Sequence, residues 1–287
     1  MPPRISFEVS PPRTPEGEAR LSEALDRLAP LDPSFVSVTC GAGGSGIDAT
    51  FSALEQIAAR GTLPPAGHLT CVGRTRAEVD TEIMRYWDAG IRHIVALRGD
   101  VPGWEGPFRP HPDGYASAVD LVTAVSSAAP FEISVATYPE PHPDSQSPLH
   151  DLRVLARKAE AGATSAITQF CFETDAIVAL RERIAGARIP LTVVPGILLA
   201  TDFQGLRRMA GRCGASIPEW LVERFAGLDD DLETRKLVGA IVAAEQVQRL
   251  RHEGFEDFHF YTLNQGDLAP AVCRLLGVRP VAERSAA

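Results

Sequence analysis

The chain has 287 residues, 45% of them hydrophobic and 23% charged, a composition typical of a globular protein with a sizeable core. Its formal net charge of −9 disfavours binding to nucleic acid or to an anionic membrane surface. The five cysteines are scattered singly, which indicates neither a zinc site nor a disulfide framework. No apolar run resembles a signal peptide or a membrane span. We therefore expect a soluble, cytoplasmic protein with no nucleic-acid or membrane partner.

Eight short runs rich in β-branched and aromatic residues predict strands. They begin at Ile5, Phe35, His68, His93, Glu132, Ser165, Leu191 and Phe258. Apolar residues at helical spacing between these runs predict helices over residues 16–28, 76–89, 116–128, 149–161 and 176–185. The longer interval between the seventh and eighth strands has room for extra helices over residues 202–213, 218–225 and 232–251.

Strands that alternate with helices pair in parallel, and eight such units in this length fit one closed (β/α)8 barrel. We predict a single catalytic barrel domain over residues 1–287, with a core at about 5–280 and a short flexible C-terminal tail. A doubly wound sheet is the competing architecture, because residues 41–46, GAGGSG, fit GxGxxG after a strand and Arg74 could contact a 2′-phosphate. That fingerprint belongs to the first βα turn, whereas these glycines follow the second strand, so a glycine-rich barrel loop is favoured.

Polar residues recur where the predicted strands end, and in a barrel these ends face one mouth. They are Glu8, Thr39, Thr70, Arg98, Gly99, Asp100, Tyr138, Gln169 and Asn264. Taken alone, Glu8 fits the solvated face of an edge strand, since it alternates with Phe7 and Val9. The shared mouth instead favours an inward Glu8, protonated among few polar neighbours, and an ionised Asp100. Two carboxylates in unlike surroundings can divide the roles of acid and base.

A proline-spaced loop follows the fifth strand and presents Tyr138 and His142, and the next predicted helix carries Arg157 and Lys158. These two cations could bind a pyrophosphate, or could lie on a solvated helix face. No histidine spacing indicates a metal site. The acidic run at residues 229–231 suits the start of a helix better than a metal site.

Several stretches resemble a known family in order and spacing. They include SFEVSPPRT from Ser6, GIRHIVALRGD from Gly90, ITQF from Ile167, VPGIL from Val194 and DFHFYTLN from Asp257. This pattern resembles the bacterial 5,10-methylenetetrahydrofolate reductase family over nearly the whole chain. The resemblance implies a (β/α)8 barrel that holds FAD. It also implies that 5,10-methylenetetrahydrofolate is reduced to 5-methyltetrahydrofolate, with electrons from NADH or NADPH, by a ping-pong mechanism.

The same resemblance implies residue roles. Glu8 corresponds to the general acid that protonates the 10-nitrogen of the folate, and Asp100 to an aspartate that tunes the flavin and contacts the pterin. Gln169 corresponds to a folate-binding glutamine, and Gln265 lies where the outer folate is held. The implied cofactor-binding positions are Thr39, His68, Arg98, Gly99, Asp100, Tyr115, Ala116, Tyr138, His142, Asp151, Arg157 and Lys158.

The chain departs from the family pattern in two places. It has Gly205, Met209 and Gln265 where some members have Gln, Phe and Arg. We therefore expect weaker or altered recognition of the folate tail, or a contact to the tail from Gln204, Arg207 or Arg208 in place of the missing arginine. The loop at residues 101–114 carries Trp104 and Phe108 beside the expected flavin pocket. If these rings fill the pocket, NAD(P)H must reduce the folate directly.

Four alternatives therefore remain at this point. They are a flavoenzyme, the same reaction without flavin, a Rossmann-type dehydrogenase, and a folate-binding barrel without catalysis. The preference between NADH and NADPH, the physiological direction, and a homo-oligomeric state such as a dimer or tetramer are left open by the sequence.

Overall fold

A parallel sheet forms the centre of the protein, and the computed structural model describes residues 2–40, 46–99, 109–142, 145 and 147–284. The strands within these residues are β1 (Arg4–Val9), β2 (Val36–Val38), β3 (Pro65–Thr70), β4 (His93–Leu97), β5 (Glu132–Thr137), β6 (Ser165–Thr168), β7 (Thr192–Val194), β8 (Gly196–Leu198) and β9 (Asp257–Tyr261).

The strands lie in the order β7-β6-β5-β4-β3-β2-β1-β9-β8, and every pair is parallel. One residue, Pro195, separates β7 from β8, so the two ends of this order are consecutive in the chain. The sheet therefore curves into a nearly closed barrel. A doubly wound sheet is excluded, because the strand order follows the chain and never reverses at a switch point.

The seventh predicted strand was wrong in one respect, since the structure divides it in two. Pro195 has no N–H group and cannot donate to a strand ladder. Before it, β7 pairs with β6, and after it, β8 pairs with β9. The Pro195 carbonyl accepts from the His259 N–H at 2.9 Å, and the Gly196 N–H donates to Thr168 Oγ1 at 2.9 Å. The broken strand thus joins the two ends of the barrel.

Helices surround the sheet, and the described part of the chain also has a 3-10 helix at Ala29–Leu31. The α-helices are α1 (Pro15–Leu28), α2 (Ile47–Ala59), α3 (Arg76–Asp88), α4 (Ala118–Ala128), α5 (Pro148–Glu160), α6 (Thr174–Gly186), α7 (Phe203–Cys213), α8 (Glu219–Phe225), α9 (Leu232–His252), α10 (Leu268–Leu275) and α11 (Val281–Arg284). The extra helices predicted between the seventh and eighth strands are confirmed as α7, α8 and α9. None of the described helices is long and apolar enough to cross a bilayer.

The main core lies between the sheet and the helices. On β1, Ile5, Phe7 and Val9 point into it, and the Phe7 ring packs 5.9 Å from Phe260 of β9. Full burial of such a side chain stabilises the fold by about 1.5–3 kcal/mol. The alternate residues of β1, Ser6 and Glu8, make their contacts with polar groups of other strands inside the barrel.

A second apolar cluster supports the helices that follow β8. It contains Phe170, Leu198, Phe203, Leu221 and Phe225. The rings of Phe203 in α7 and Phe225 in α8 stack with their centroids 5.0 Å apart. This cluster holds α7 and α8 against the C-terminal ends of β6 and β8. It therefore builds one wall of the barrel mouth.

Candidate active site

Glu8 lies at the C-terminal half of β1, with its side chain 20% exposed and turned into the barrel. Its Oε2 atom lies 3.5 Å from His68 Nε2 of β3 and 3.9 Å from His259 Nε2 of β9. The inward orientation of Glu8, which the shared mouth of the predicted strand ends favours over a solvated edge strand, is confirmed. A carboxylate placed between two imidazoles, with one side still open to solvent, is suited to exchanging a proton with a bound molecule.

Serines connect the histidines below Glu8. Ser37 Oγ lies 3.2 Å from His68 Nε2 and 3.5 Å from His259 Nε2, and Ser6 Oγ lies 2.7 Å from His259 Nδ1. Ser6 Oγ also donates to the Phe258 carbonyl at 3.3 Å. These groups form one hydrogen-bonded network beneath the carboxylate. The expectation that Glu8 has few polar neighbours beyond serines is therefore wrong.

Two of the interior histidines, His68 and His93, are held neutral. Burial, opposed by the Glu8 charge, lowers the pKa of His68, and burial lowers the pKa of His93 to about 4. His93 Nε2 bonds Ser134 Oγ at 2.7 Å, and the Phe35 ring lies between His93 and His259 at centroid distances of 4.4 and 5.4 Å. Glu8 thus faces the uncharged imidazole of His68, which acts as a hydrogen-bonding group.

Sequence reasoning missed His93 and His259 as interior groups. A signal was present, because His259 alternates with the outward Phe258 and Phe260 on one strand. Tyr261 was missed as well, and its hydroxyl donates to the Thr168 carbonyl across the barrel at 2.7 Å. Burial raises the pKa of Tyr261 well above its ordinary value, so this phenol stays protonated.

The end of β4 approaches the neighbouring strand closely. Gly99 has φ of +81°, and a β-carbon there would lie 2.5 Å from Val72 Cγ1 and 3.0 Å from Thr70 Cβ. Only glycine fits this turn. Arg98 Nε donates to the Gly99 carbonyl at 3.4 Å. Asp100, Trp104 and Phe108 lie outside the described residues, so their predicted roles stay predictions.

The loop after β5 is organised by side chains from the loop itself and from α5. The rings of Tyr138 and His142 meet edge to face at 4.5 Å, and Ser145 Oγ donates to Asp151 Oδ1 at 2.6 Å. Lys158, two turns along α5 from Asp151, donates from Nζ to the Ala136 carbonyl at 3.0 Å. Burial of this amine lowers its pKa to about 8, although Asp151 acts in the opposite direction. Lys158 thus lies within electrostatic range of both Asp151 and Arg98.

Two glutamines lie at the other side of the mouth. Gln169 follows β6, and its Oε1 accepts from the Phe170 N–H at 3.0 Å; together with Tyr138 it lines a small cleft. Gln265 follows β9, and Thr201 Oγ1 donates to its Oε1 at 2.5 Å. A β-carbon at Gly205 would meet the Asp202 carboxylate, an exposed side chain that would have to move to make room for it. Met209 packs against the second apolar cluster.

Other predicted site residues contact neighbouring elements instead of the Glu8 network. Thr39 is buried, and its hydroxyl donates to Ser10 Oγ at 3.3 Å. Tyr115 donates to Asp80 Oδ1 of α3 at 2.5 Å, and burial together with that carboxylate raises its pKa to about 12. Ala116 and Arg157 are exposed, the first in the turn before α4 and the second in the last turn of α5.

The Asn264 side chain forms hydrogen bonds with the backbone of another loop. Its side-chain amide accepts from the Ser10 N–H and donates to the Ser10 carbonyl, each at 2.8 Å, and so joins the loops after β1 and β9. Within the described residues, no group of three or more histidine, cysteine or acidic side chains could hold a metal ion.

The barrel and the polar mouth together define a class: a (β/α)8-barrel enzyme with its reactive groups at the C-terminal ends of the strands. Solved structures agree on the fold. A 2,3-dimethylmalate lyase gives a TM-score of 0.51 at 11% identity over 96% of this chain and 77% of that chain. An oxaloacetate acetylhydrolase gives 0.51 at 10% identity over 93% and 77%. At this level of identity the likeness concerns the fold alone.

The sequence model of the methylenetetrahydrofolate reductase family matches residues 2–277. The chain is 48% identical over 276 residues to 5,10-methylenetetrahydrofolate reductase of Escherichia coli, covering 96% of this chain and 91% of that protein. It is 45% identical to the Pectobacterium carotovorum enzyme with the same coverage. It is 33% identical to methylenetetrahydrofolate reductase (NADH) 1 of Arabidopsis thaliana, covering 96% of this chain and 48% of that protein. The chain belongs to the methylenetetrahydrofolate reductase family and is an oxidoreductase.

Proposed function

We propose that the protein is an FAD-dependent methylenetetrahydrofolate reductase that uses NADH or NADPH, with Glu8 as its general acid. The observation that carries the proposal is the position of Glu8. The Glu8 carboxyl group projects into the barrel beside neutral His68, at 3.5 Å, and its side chain remains partly exposed. Placed there, it can reach a substrate bound over the strand ends.

The proposed chemistry starts with a proton. Glu8 in its protonated form donates to the 10-nitrogen of 5,10-methylenetetrahydrofolate, and the five-membered ring opens to an iminium ion. The carboxylate left behind lies 3.5 Å from His68 Nε2, and the imidazole stabilises it in the tautomer that carries its proton on Nε2. Stabilising the charge that develops on Glu8 lowers the barrier to proton transfer.

FAD, when bound, accepts hydride from NAD(P)H and supplies it to the methylene carbon, so the two half reactions alternate at one site. The protein's own groups suit an anionic dinucleotide. Lys158 presents a desolvated amine near Arg98, and Gly99 lets the backbone of the β4 loop lie close to its neighbours. Local cations are required, because the protein as a whole carries a net charge of −9.

The absorption spectrum of the purified protein, before and after incubation with FAD, tests the cofactor. We expect a flavin spectrum that NADH or NADPH bleaches under anaerobic conditions and that 5,10-methylenetetrahydrofolate then restores. The Arg98→Gln variant should hold FAD more weakly, and Arg153→Gln, on the exposed face of α5, provides a matched control. A colourless protein that cannot take up FAD, yet reduces the folate with NAD(P)H, would establish direct hydride transfer instead.

The residues expected to contact the folate tail are those in which this chain differs from the family pattern. We infer that Gln265, with its oxygen engaged by Thr201, offers only its amide N–H groups to the tail. Arg207 and Arg208 on α7 are exposed, and Arg208 lies 3.7 Å from Asp202. They can supply the positive charge that position 265 lacks. The cytoplasmic location and the homo-oligomeric state stay predictions.

A further inference from the structure

The division of a strand at Pro195 leaves one carbonyl group of β6 without its ladder partner. The register of β6 with β7 advances in steps of two residues, and the Thr192 N–H donates to the Thr164 carbonyl at 3.1 Å. Continued for four more residues, this parallel ladder would direct the Gly196 N–H to the Thr168 carbonyl. The Gly196 N–H instead donates to the hydroxyl of that threonine, Thr168 Oγ1, at 2.9 Å.

A tyrosine from the far side of the divided strand takes the vacant place in the ladder. Tyr261, the last residue of β9, donates its hydroxyl to the Thr168 carbonyl at 2.7 Å. Gly196 lies beside this bond, and a β-carbon there would lie 2.7 Å from Tyr261 Oη, so the absence of a side chain leaves room for it. Since β6 and β9 are not neighbours in the sheet, this hydroxyl joins two strands that share no ladder.

The bond from Tyr261 fixes the peptide group that precedes Gln169. The carbonyl of this peptide belongs to Thr168 and accepts from Tyr261. Its N–H belongs to Gln169 and donates to the Thr137 carbonyl of β5 at 2.8 Å. The peptide plane is thus held at both ends, by β9 and by β5. That plane sets the direction in which the Gln169 side chain leaves the backbone.

The Gln169 side chain is itself oriented. Its Oε1 atom accepts from the Phe170 N–H at 3.0 Å, and only the oxygen of an amide can accept from an N–H group. The N–H groups on Nε2 are therefore the donors that Gln169 offers to a ligand. Gln169 lines the cleft beside Tyr138, at the strand ends where barrel enzymes bind their substrates.

We propose that Tyr261 is a positioning residue for the folate: by holding the Thr168 carbonyl, its hydroxyl sets the direction in which Gln169 donates to the substrate. The inference rests on the proposed function, with Gln169 as the folate-binding glutamine that the family resemblance implies. Its new content is that the closure of the barrel between β6 and β9 controls substrate affinity through one hydroxyl group.

Tyr261 also lies next to the proposed acid, so two effects of its removal have to be separated. In the register of β1 with β9, Tyr261 pairs with Glu8, and its ring meets the His259 ring edge to face at 5.4 Å. A double-mutant cycle with Gln169 distinguishes the two effects, because residues that act through one another give non-additive changes. The probe is 5-methyltetrahydrofolate, and calorimetry on the protein as purified measures its binding without turnover.

Gln169→Ala should bind 5-methyltetrahydrofolate about tenfold more weakly than the wild type, because its hydrogen bonds to the ligand are lost. Tyr261→Phe should weaken binding by about three- to tenfold, because the Gln169 amide is present but less well oriented. In the Gln169→Ala background, Tyr261→Phe should change the affinity by less than about twofold. Ser126→Ala is the control. It removes a hydroxyl that donates to the Ala161 carbonyl at 2.7 Å, between the C-terminal ends of α4 and α5, and should leave folate binding unchanged.

Kinetics provide a second readout. Under the proposed function, the KM for 5,10-methylenetetrahydrofolate should rise in Tyr261→Phe, whereas reduction of the flavin by NADH should stay within about twofold of the wild type. If Tyr261→Phe fails to fold, Thr168 tests the same peptide group. Thr168→Val lacks the hydroxyl that accepts from Gly196, so this N–H competes with Tyr261 for the carbonyl, and folate binding should weaken. Thr168→Ser keeps the hydroxyl and should bind as the wild type does.

The failure of this inference and the failure of the proposed function give different results. Additive effects of Tyr261→Phe and Gln169→Ala would show that Tyr261 acts on Glu8 or elsewhere, and would refute the inference. Wild-type affinity in Tyr261→Phe, with weaker binding in Gln169→Ala, would refute the inference and leave the proposed function intact. Wild-type affinity in Gln169→Ala would also refute it, while the absorption spectrum still decides the cofactor. If the wild type does not bind 5-methyltetrahydrofolate, the proposed function is wrong and the inference with it.

Discussion

Gln265 illustrates how the fixed orientation of one side chain decides which polar groups the barrel mouth offers to a ligand. Its oxygen accepts from Thr201, a residue that is 4% exposed, so the amide is fixed in one orientation. The exposed Asp202 carboxylate lies where a β-carbon of residue 205 would be, and Gly205 leaves it in that place. Under the proposed function, the γ-glutamyl tail of the substrate would therefore meet amide N–H groups of Gln265 and the carboxylate of Asp202.

The Gln265→Arg substitution should therefore strengthen binding of the folate tail. A charge-assisted hydrogen bond contributes about 1.5–3 kcal/mol, and solvent exposure reduces this, so we expect about tenfold tighter binding of a polyglutamylated folate. Equilibrium binding of the polyglutamylated and tail-free pterin forms measures the effect. The tail-free form is the control and should bind both proteins equally. An unchanged affinity for the polyglutamylated form would show that position 265 does not contact the tail.

At the scale of elements, the strands do more than support the fold, because their inner faces carry a layer of buried polar side chains. His93 of β4 illustrates this. It is 6% exposed, its Nε2 atom bonds Ser134, and its Nδ1 atom lies 3.9 Å from Glu132 Oε2 at the opposite end of the barrel from the mouth. Burial and the neighbouring His259 and His68 hold its pKa at about 4.

The His93 pKa makes a prediction about acid stability. In the unfolded chain this histidine takes up a proton near pH 6.5, whereas in the folded protein it does so only near pH 4. Stability from this group is complete above pH 6.5 and decreases as the pH falls toward 4, by about 3 kcal/mol in all. Urea unfolding at pH 7 and pH 4.5 measures the loss in wild type and in His93→Gln.

We expect the free energy of unfolding of His93→Gln to depend less on pH than that of the wild type, although the variant is less stable at pH 7. His252→Gln, at the exposed end of α9, is the matched control and should keep the wild-type dependence. Equal pH dependence in wild type and His93→Gln would contradict a neutral, buried His93.

The elements also show what the sequence could and could not predict. Helices with clear apolar spacing and side-chain caps, such as α3 with Thr75 and Glu78 in a capping box, match the predicted bounds within two residues. The division at Pro195 was not predicted, because it depends on which strand each half meets across the closing barrel. The helices α2 and α10 were missed, although α2 has Leu54 and Ile57 three residues apart, with Ala53 beside them, on its buried face.

The site residues likewise include some that the sequence predicted and some that it did not. The two-residue period of a strand places Glu8 on the face opposite Phe7 and Val9, and the prediction of a closed barrel makes that face the inward one, so the sequence was sufficient. The contacts of Glu8 with His68 and His259 join three strands that are distant in the chain, and only the closed barrel reveals them. Tyr115 was expected at the cofactor site, and its hydroxyl bonds Asp80 on α3, a pairing that no local pattern indicates.

At the scale of the whole molecule, a nearly closed parallel barrel brings residues from β1, β3 and β9 to one carboxyl group and leaves the strand ends open to ligand. The net charge of −9 repels anions in general, so anionic ligands must be held by local groups such as Arg98 and Lys158. This arrangement separates the two tasks of the proposed enzyme. Under the proposed function, proton transfer would belong to Glu8 and the interior network beneath it, and cofactor binding would belong to the loops after β4 and β5.

The most direct test of this account is the rate of each half reaction in Glu8→Gln, measured by stopped flow under anaerobic conditions. Glutamine keeps the shape of the side chain but cannot donate an acidic proton. We predict that reoxidation of the reduced enzyme by 5,10-methylenetetrahydrofolate slows by about 10²–10⁴-fold, while reduction by NAD(P)H stays within about twofold of wild type. Reoxidation by the folate at the wild-type rate would contradict the assignment of Glu8 as the general acid.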